Sequence, residues 1–346
     1  MRICIPLQPK LQGGGNNFIA NFLKYLDARG IRHTEHISDR YDVLFTLHWV
    51  MEYEGILAGV RRNPRVRIVH RIDGSAEDYG REQPESVDTT QKLINRLADL
   101  TIFQSEYCRH STREKFPLIV HDGPVIYNPV DVEQFRPDGE TINLQETVNV
   151  ACATWSTNPM KGARSLYAAA EANPDIGFIM CGRYPDAPTL PNVHVMGVLG
   201  RDALARTLRS CDMLYFPSEN EACPNVVLEA LASGLPVLYK DSGATPELVA
   251  DCGLPAEVGT FREQLESVME QKDVLAALAR ERAVAEFNPD LVLSRYVYEI
   301  ERALERPTDT PAKERRKIAW SPRQIARYHY RRVGRAARGR IRSLTG

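Results

Sequence analysis

No stretch of the 346-residue chain approaches the about 18 uninterrupted apolar residues that a membrane-crossing helix requires, which argues against a helical integral membrane protein. Cysteine is sparse and unordered. The seven, at 4, 108, 152, 181, 211, 223 and 252, are odd in number, contain no C-x-x-C and fall partly in apolar runs, so they read as reduced core thiols rather than a disulfide framework. Among the eight histidines there is no H-E-x-x-H, and His33 and His36 stand in a solvated Arg/Thr/Glu setting, so no metal site is expected. The chain lacks G-x-x-x-x-G-K-S/T, which speaks against a P-loop ATPase. Its glycine run Gly13-Gly14-Gly15 lacks the third glycine of the nicotinamide fingerprint, Phe18 standing there. No basic stretch, long apolar core and small-residue cleavage site follow Met1, and the expected location is cytoplasmic.

What is present suits a two-domain globular protein: 43% hydrophobic and 26% charged residues, over a length that allows about 150 residues per domain. A formal charge of -1 conceals an asymmetry. Residues 312–346 carry twelve Lys/Arg against the single acid Glu314, a net of +11, which leaves 1–311 at -12. A basic tail on an acidic body calls for an anionic surface, a membrane leaflet or nucleic acid.

Strand-like runs alternate with helical patterns, which predicts an α/β fold with parallel, doubly wound sheets. A strand over 3–7, the glycine loop and a helix over 18–29 closed by Gly30 come first, then strands at 43–47, 67–70, 100–104 and 125–127, each followed by polar or loop-like residues. The Pro- and Asp-rich segment from Asn128 marks a linker, placing a boundary near 138. The second half repeats the pattern with strands at 148–153, 177–181, 192–196, 213–216 and 236–239 and helices at 163–172, 201–210 and 225–233. A last amphipathic helix spans 291–304, and an S-x-x-Q capping box at Ser321 starts a further helical piece. The expected organisation is a domain over 1–138, a second over 139–290, a terminal helix over 291–306 returning to the first, and a partly helical basic tail over 307–346. A cleft should lie where the carboxyl ends of the two sheets meet.

The most informative segment is Phe216-Pro-Ser-Glu-Asn-Glu-Ala-Cys-Pro-Asn-Val-Val-Leu-Glu-Ala-Leu-Ala-Ser-Gly with the following Ser242-Gly-Ala-Thr-Pro-Glu. Glu221 falls in a post-strand loop and Glu229 about one turn into a helix, an E-x7-E spacing that turns both carboxylates toward the cleft. An ionised carboxylate accepts two sugar hydroxyl hydrogen bonds at once. Together with Val69-His70-Arg71-Ile72-Asp73-Gly74, Phe103-Gln104-Ser105-Glu106, Ile126-Tyr127-Asn128-Pro129-Val130-Asp131 and Lys161-Gly162, this pattern closely resembles the retaining GT-B glycosyltransferases of family GT4 across roughly residues 1–305.

The resemblance implies two Rossmann-like domains facing a central cleft, with a nucleotide-diphosphate sugar on the second and a glycan or lipid-linked acceptor approaching from the first. It implies Lys161 at the diphosphate, Glu221 at the donor-sugar hydroxyls, Glu229 at the ribose, Gly243, Ala244 and Thr245 near sugar and diphosphate, Gly14 and Gly15 donating from the opposite wall, and His70 on the acceptor side. Many relatives carry an arginine six residues before the lysine. Here that residue is Trp155, which lacks an arginine's charge and fork, and Arg183 is the candidate replacement.

The expected chemistry is retaining transfer by front-face substitution, without a metal or resident cofactor, in cell-envelope or other glycan synthesis. A nucleotide-sugar-binding protein without turnover is the alternative. A nucleic-acid role for the tail, with Trp320, Tyr328 and Tyr330 stacking, is weaker, because no base-reading motif accompanies the charge. Ile325, Tyr328 and Val333 beside many arginines suit an anionic membrane better.

Overall fold

A computed structural model describes residues 1–9, 13–47, 53–81, 84–115 and 123–306. The basic tail and its capping box lie outside these. The first lobe is a five-stranded parallel sheet of β1 (Arg2–Cys4), β2 (Arg32–Thr34), β3 (Val43–Leu47), β4 (Arg67–Ile72) and β5 (Leu100–Phe103), in the order β2-β1-β3-β4-β5. Helices α1 (Gly14–Ala28), α2 (Tyr53–Arg62), α3 (Pro84–Asn95) and α4 (Glu106–Lys115) connect or follow its strands.

The second lobe holds β6 (Val148–Thr154), β7 (Ile176–Gly182), β8 (Val193–Gly197), β9 (Met213–Phe216), β10 (Val237–Tyr239) and β11 (Gly253–Pro255), in the order β11-β10-β9-β6-β7-β8. Its helices are α5 (Ala163–Ala172), α6 (Arg201–Arg209), α7 (Asn225–Ala232), α8 (Thr245–Val249), α9 (Phe261–Glu270) and α10 (Lys272–Glu286). The central strands are buried along their whole length, as expected of parallel sheets covered on both faces.

The last helix, α11 (Pro289–Glu305), starts on an Asn288 cap with proline at its first position and packs on the first lobe. Its Tyr296 ring lies 4.9 Å from Phe18, within an aromatic cluster that includes Phe22 and Phe45.

Several boundaries differ from those in the sequence pattern. β1 stops at Cys4, short of Pro6, which has no N–H for a ladder. Residues 125–127 form only an isolated bridge, Val125 to Phe103. β2 is a short, polar edge strand with no apolar alternation to reveal it. The helices α2 to α4 occupy segments that read as polar loops. The crossing between lobes lies nearer Asn128 than 138, because Val130, Val132 and Phe135 bury in the second core.

Candidate functional site

Each sheet reverses its winding once, and such a switch point opens a crevice beyond the carboxyl ends of the strands. In the second lobe the reversal lies between β6 and β9, which pair directly through Val150↔Met213 and Ala151↔Leu214. The loops leaving these two strands carry Lys161 and Glu221. Asn158 caps the 3₁₀ turn Pro159–Lys161, its side chain accepting from the Met160 N–H at 3.0 Å. Gly162 then takes φ 72°, where a Cβ would stand 2.4 Å from the Pro217 carbonyl oxygen, so glycine lets the lysine turn press against the β9 loop.

The Lys161 ammonium donates to the Glu221 carboxylate, and both side chains are largely buried, 16% and 8% exposed. Tyr79 of the first lobe covers the pair: its ring centroid lies 5.0 Å from Lys161 Nζ and its hydroxyl reaches Glu221 Oε1 at 3.5 Å. Burial opposes the lysine charge, but the Glu221 carboxylate and Tyr79 outweigh it and hold the Lys161 pKa above its ordinary value. Burial, then the Glu221 charge, push the Tyr79 hydroxyl up.

Glu221 opens onto a cavity of about 320 Å³. The first lobe lines most of it, with Gly13, Gly14, Gly15 and Asn16 at the start of α1, Arg71, Asp73 and Arg81. The first turn of α1 has no side-chain cap and no acid, and its positive helix end lines the cavity through Gly13 to Asn16. Asp73 pairs with Arg81 at 3.2 Å, and Arg81 lies over Tyr79 at 5.0 Å. Arg71, 1% exposed, donates to Tyr296 Oη at 2.9 Å and to Asn128 Oδ1 and lies over the Phe18 ring at 4.0 Å, tying the cavity floor to α11 and the crossover.

Glu229 sits in a separate, adjoining crevice of about 10 Å³, bounded by Asn17, Phe18 and Asn21 of α1, by Arg201 and by Asn225; Asn128 lines both spaces. That volume holds about one water. Burial pushes the Glu229 carboxyl above its ordinary value, and Arg201, 3.7 Å away, pulls in the opposite direction.

Three candidates need correction. His70 is fully buried on the face of β4 opposite Arg71, its ring against Asn95 of α3 at 3.3 Å, because successive strand side chains alternate. It lines neither cavity, whereas Arg71 and Asp73 do. Arg183 is exposed and also lines neither, since β7 flanks β6 on the side away from the switch point. The Ala244 N–H is spent on the Glu221 carbonyl at 2.8 Å, so it is not a ligand donor here.

Gly243, at φ 66°, brings the 242–245 loop against Glu221; the Thr245 hydroxyl is buried and finds no partner among the described residues. Trp155 is 41% exposed at the end of β6. The alternation inside Val69–Gly74 is the signal that could have singled out Arg71 and Asp73. Tyr79 and Arg201 carry no such mark.

Two parallel-sheet lobes whose carboxyl-end loops meet around these cavities define the GT-B class of fold. The same fold is found in sucrose-phosphate synthase from Thermosynechococcus elongatus, with TM-score 0.64 at 17% identity over 84% of this chain and 78% of that one. It is also found in Anabaena HepE in complex with UDP and glucose, with TM-score 0.62 at 15% identity over 87% and 100%. Residues 154–274 match the family model Glycosyl transferases group 1.

In sequence it is 26% identical to a D-inositol 3-phosphate glycosyltransferase of Mycolicibacterium gilvum, over 62% of this chain and 54% of the relative. It is 35% identical to a GDP-mannose-dependent alpha-mannosyltransferase of Mycolicibacterium smegmatis, over 55% and 53%. The chain thus matches about half the length of these relatives. Among the described residues no helix is long and apolar enough to cross a membrane, and no group of three or more His, Cys, Asp or Glu could hold a metal ion.

Proposed function

We propose that the chain transfers a sugar from a nucleotide-diphosphate donor to a hydroxyl acceptor with retention of configuration, in cell-envelope or other glycan synthesis. The observation that carries this reading is the buried Lys161–Glu221 pair at the β6/β9 switch point, whose Glu221 lines a cavity walled mostly by the first lobe.

In this scheme the diphosphate takes Lys161, whose fixed charge stabilises the leaving group as its own charge grows, and the sugar hydroxyls take Glu221. Glu229 holds the ribose beside Arg201. Gly14 and Gly15 donate from the far wall, and Gly243 and Thr245 flank the sugar. The acceptor oxygen bonds to the anomeric carbon on the face the diphosphate leaves, the bond from that carbon to the phosphate oxygen breaks, and the acceptor proton passes to that phosphate oxygen. No metal or resident cofactor takes part in this scheme. The sequence relatives, one named for D-inositol 3-phosphate and one for dependence on GDP-mannose, support a nucleotide-sugar donor and a hydroxyl-bearing acceptor. The basic segment 312–346 provides peripheral contact with an anionic membrane, on its cytoplasmic face, rather than with nucleic acid.

Thermal scans against UDP, GDP, ADP and TDP test the donor assignment, since a ligand of the folded form raises its apparent stability. One nucleotide should raise the midpoint, and Glu229→Ala should abolish the rise. No rise with any of the four, or an undiminished rise in the variant, contradicts the assignment. Unchanged co-sedimentation with anionic liposomes after deletion of 312–346 would refute the membrane contact.

A further inference from the structure

Between β4 and α3 the first lobe sends a short strap, residues 75–80, across the cleft. Asp88 of α3 braces it from within its own lobe, accepting from the N–H groups of Ala76 at 2.8 Å and Glu77 at 3.3 Å and from the Ser75 hydroxyl at 3.3 Å. On the far side the strap docks on both loops of the second-lobe switch point. The Asn158 side chain donates to the Tyr79 carbonyl at 2.8 Å, and the Asn220 side chain donates to the Asp78 carbonyl at 2.8 Å. At Gly80 a Cβ would stand 2.9 Å from Met160, so strap and lysine turn are in close contact. Between these two anchors Tyr79 closes over Lys161 and Glu221.

The anchors are the residues that shape the reacting pair. Asn158 caps the turn that carries Lys161, and Asn220, at φ 55°, is the neighbour of Glu221. With the strap docked, both loops are held and Tyr79 covers the pair, while Glu229 and Arg201 line a separate crevice that contains no strap residue. Building on the donor reading above, we infer that Tyr79 is a positioning residue supplied by the first lobe, which holds Lys161 and Glu221 in working geometry only when the strap is docked. Cleavage of the donor is thereby tied to closure, and nucleotide binding to the second lobe is not.

The test compares the full chain with Tyr79→Ala and Tyr79→Phe, using UDP-glucose and GDP-mannose as donors and UDP and GDP as products. Dissociation constants of the nucleotide that binds should stay within about twofold in both variants. Turnover of the matching nucleotide sugar, read as nucleotide release to water, should fall about tenfold or more in kcat for Tyr79→Ala and recover to within about threefold for Tyr79→Phe, which keeps the ring over Lys161. Amide hydrogen exchange supplies a readout independent of turnover. Nucleotide should protect both the strap and the helix around Glu229 in the unaltered chain and in Tyr79→Phe, but only the helix in Tyr79→Ala. A Tyr79→Ala variant that loses affinity and turnover by the same factor, or keeps strap protection, overturns the inference while leaving the donor reading intact. Failure of the unaltered chain to bind either nucleotide or nucleotide sugar overturns both.

Discussion

Replacing Lys161 with methionine keeps the length of its apolar stem and removes the charge that Glu221 faces. Because both side chains are largely buried, the substitution strands a carboxylate in a site built for an ion pair, and breaking such a pair costs about 3–5 kcal/mol. For a lobe of this size each kcal/mol moves the midpoint by about 2–4 °C, so a drop of about 6–20 °C is expected. The double variant Lys161→Met/Glu221→Gln removes both charges, and its stability should return to within about 2 kcal/mol of the original. Chemical denaturation of the four proteins of this cycle then yields the coupling directly.

Burial disfavours the lysine charge, yet Glu221 and Tyr79 hold its pKa above the ordinary 10.5. The stability that the pair supplies is therefore fully present below that value and lost only as pH rises through the raised one, so a cycle run at pH 7–8 reads the whole coupling. Turnover should fall about 10²–10³-fold in both lysine variants, whatever their stability, because the leaving group loses its counter-charge. Costs that simply add, with coupling below about 1 kcal/mol, would show an ordinary solvated pair and refute the reasoning.

Burial lifts the Glu229 carboxyl above its ordinary 4.5 despite Arg201, so its contribution to stability is present below that value and is lost as pH rises through the raised one. Glu229→Gln should consequently melt above the parent at pH 8, with the gap closing toward pH 4.5, and should lose the nucleotide-induced rise; a lower midpoint at pH 8 contradicts this. Gly243→Ala meets a left-handed φ of 66° and a Cβ 2.5 Å from the Glu221 nitrogen, whereas Gly30→Ala meets φ 64° with open space around it. Gly30→Ala should lose about 1–2 kcal/mol in denaturant and Gly243→Ala clearly more, so equal losses would show that the Glu221 loop yields freely. His70→Ala should lose about 2 kcal/mol or more from a buried site yet keep the nucleotide-induced rise, and loss of that rise would show that His70 supports the nucleotide site after all.

Residues whose placement follows from a local rule were legible in the sequence. Lys161, Glu221 and Glu229 sit where strand, turn and helix follow in order, and α5 and β9 have the boundaries their apolar spacing predicts. His70 was misplaced because naming a motif does not choose a strand face. The alternation along β4 and the residue after it gives Arg71 and Asp73 to the cavity and His70 to the packing against α3. Tyr79 and Arg201 were illegible for a different reason. Tyr79 meets Lys161 and Glu221 only because two lobes approach each other, and Arg201, at the start of α6, meets Glu229 of α7 only through the tertiary fold, so no spacing along the chain encodes either contact.

The contacts across the cleft also bear on the order of events. The carboxylate of Glu247, on α8, accepts from the N–H groups of Glu106 and Tyr107 at the start of α4 at 2.9 and 3.3 Å, where the helix end favours negative charge. Asn128 bonds to Cys223 and Asn225, and Asn158 and Asn220 hold the strap. Ala222 adds a small apolar contact with Ile72, Phe103 and Cys108. Hydrogen bonds of this kind exchange readily for bonds to water, each with a net contribution of about 0.5–1.5 kcal/mol, so the lobes are able to part without exposing a large core. On the proposed donor reading they have to part for a ribose to reach Glu229, because the crevice there has room for about one water. On that reading a nucleotide enters an open cleft and meets Glu229 before the strap docks, so the proposed positioning role makes Tyr79 one of the last groups to arrive, a gate on chemistry rather than on binding.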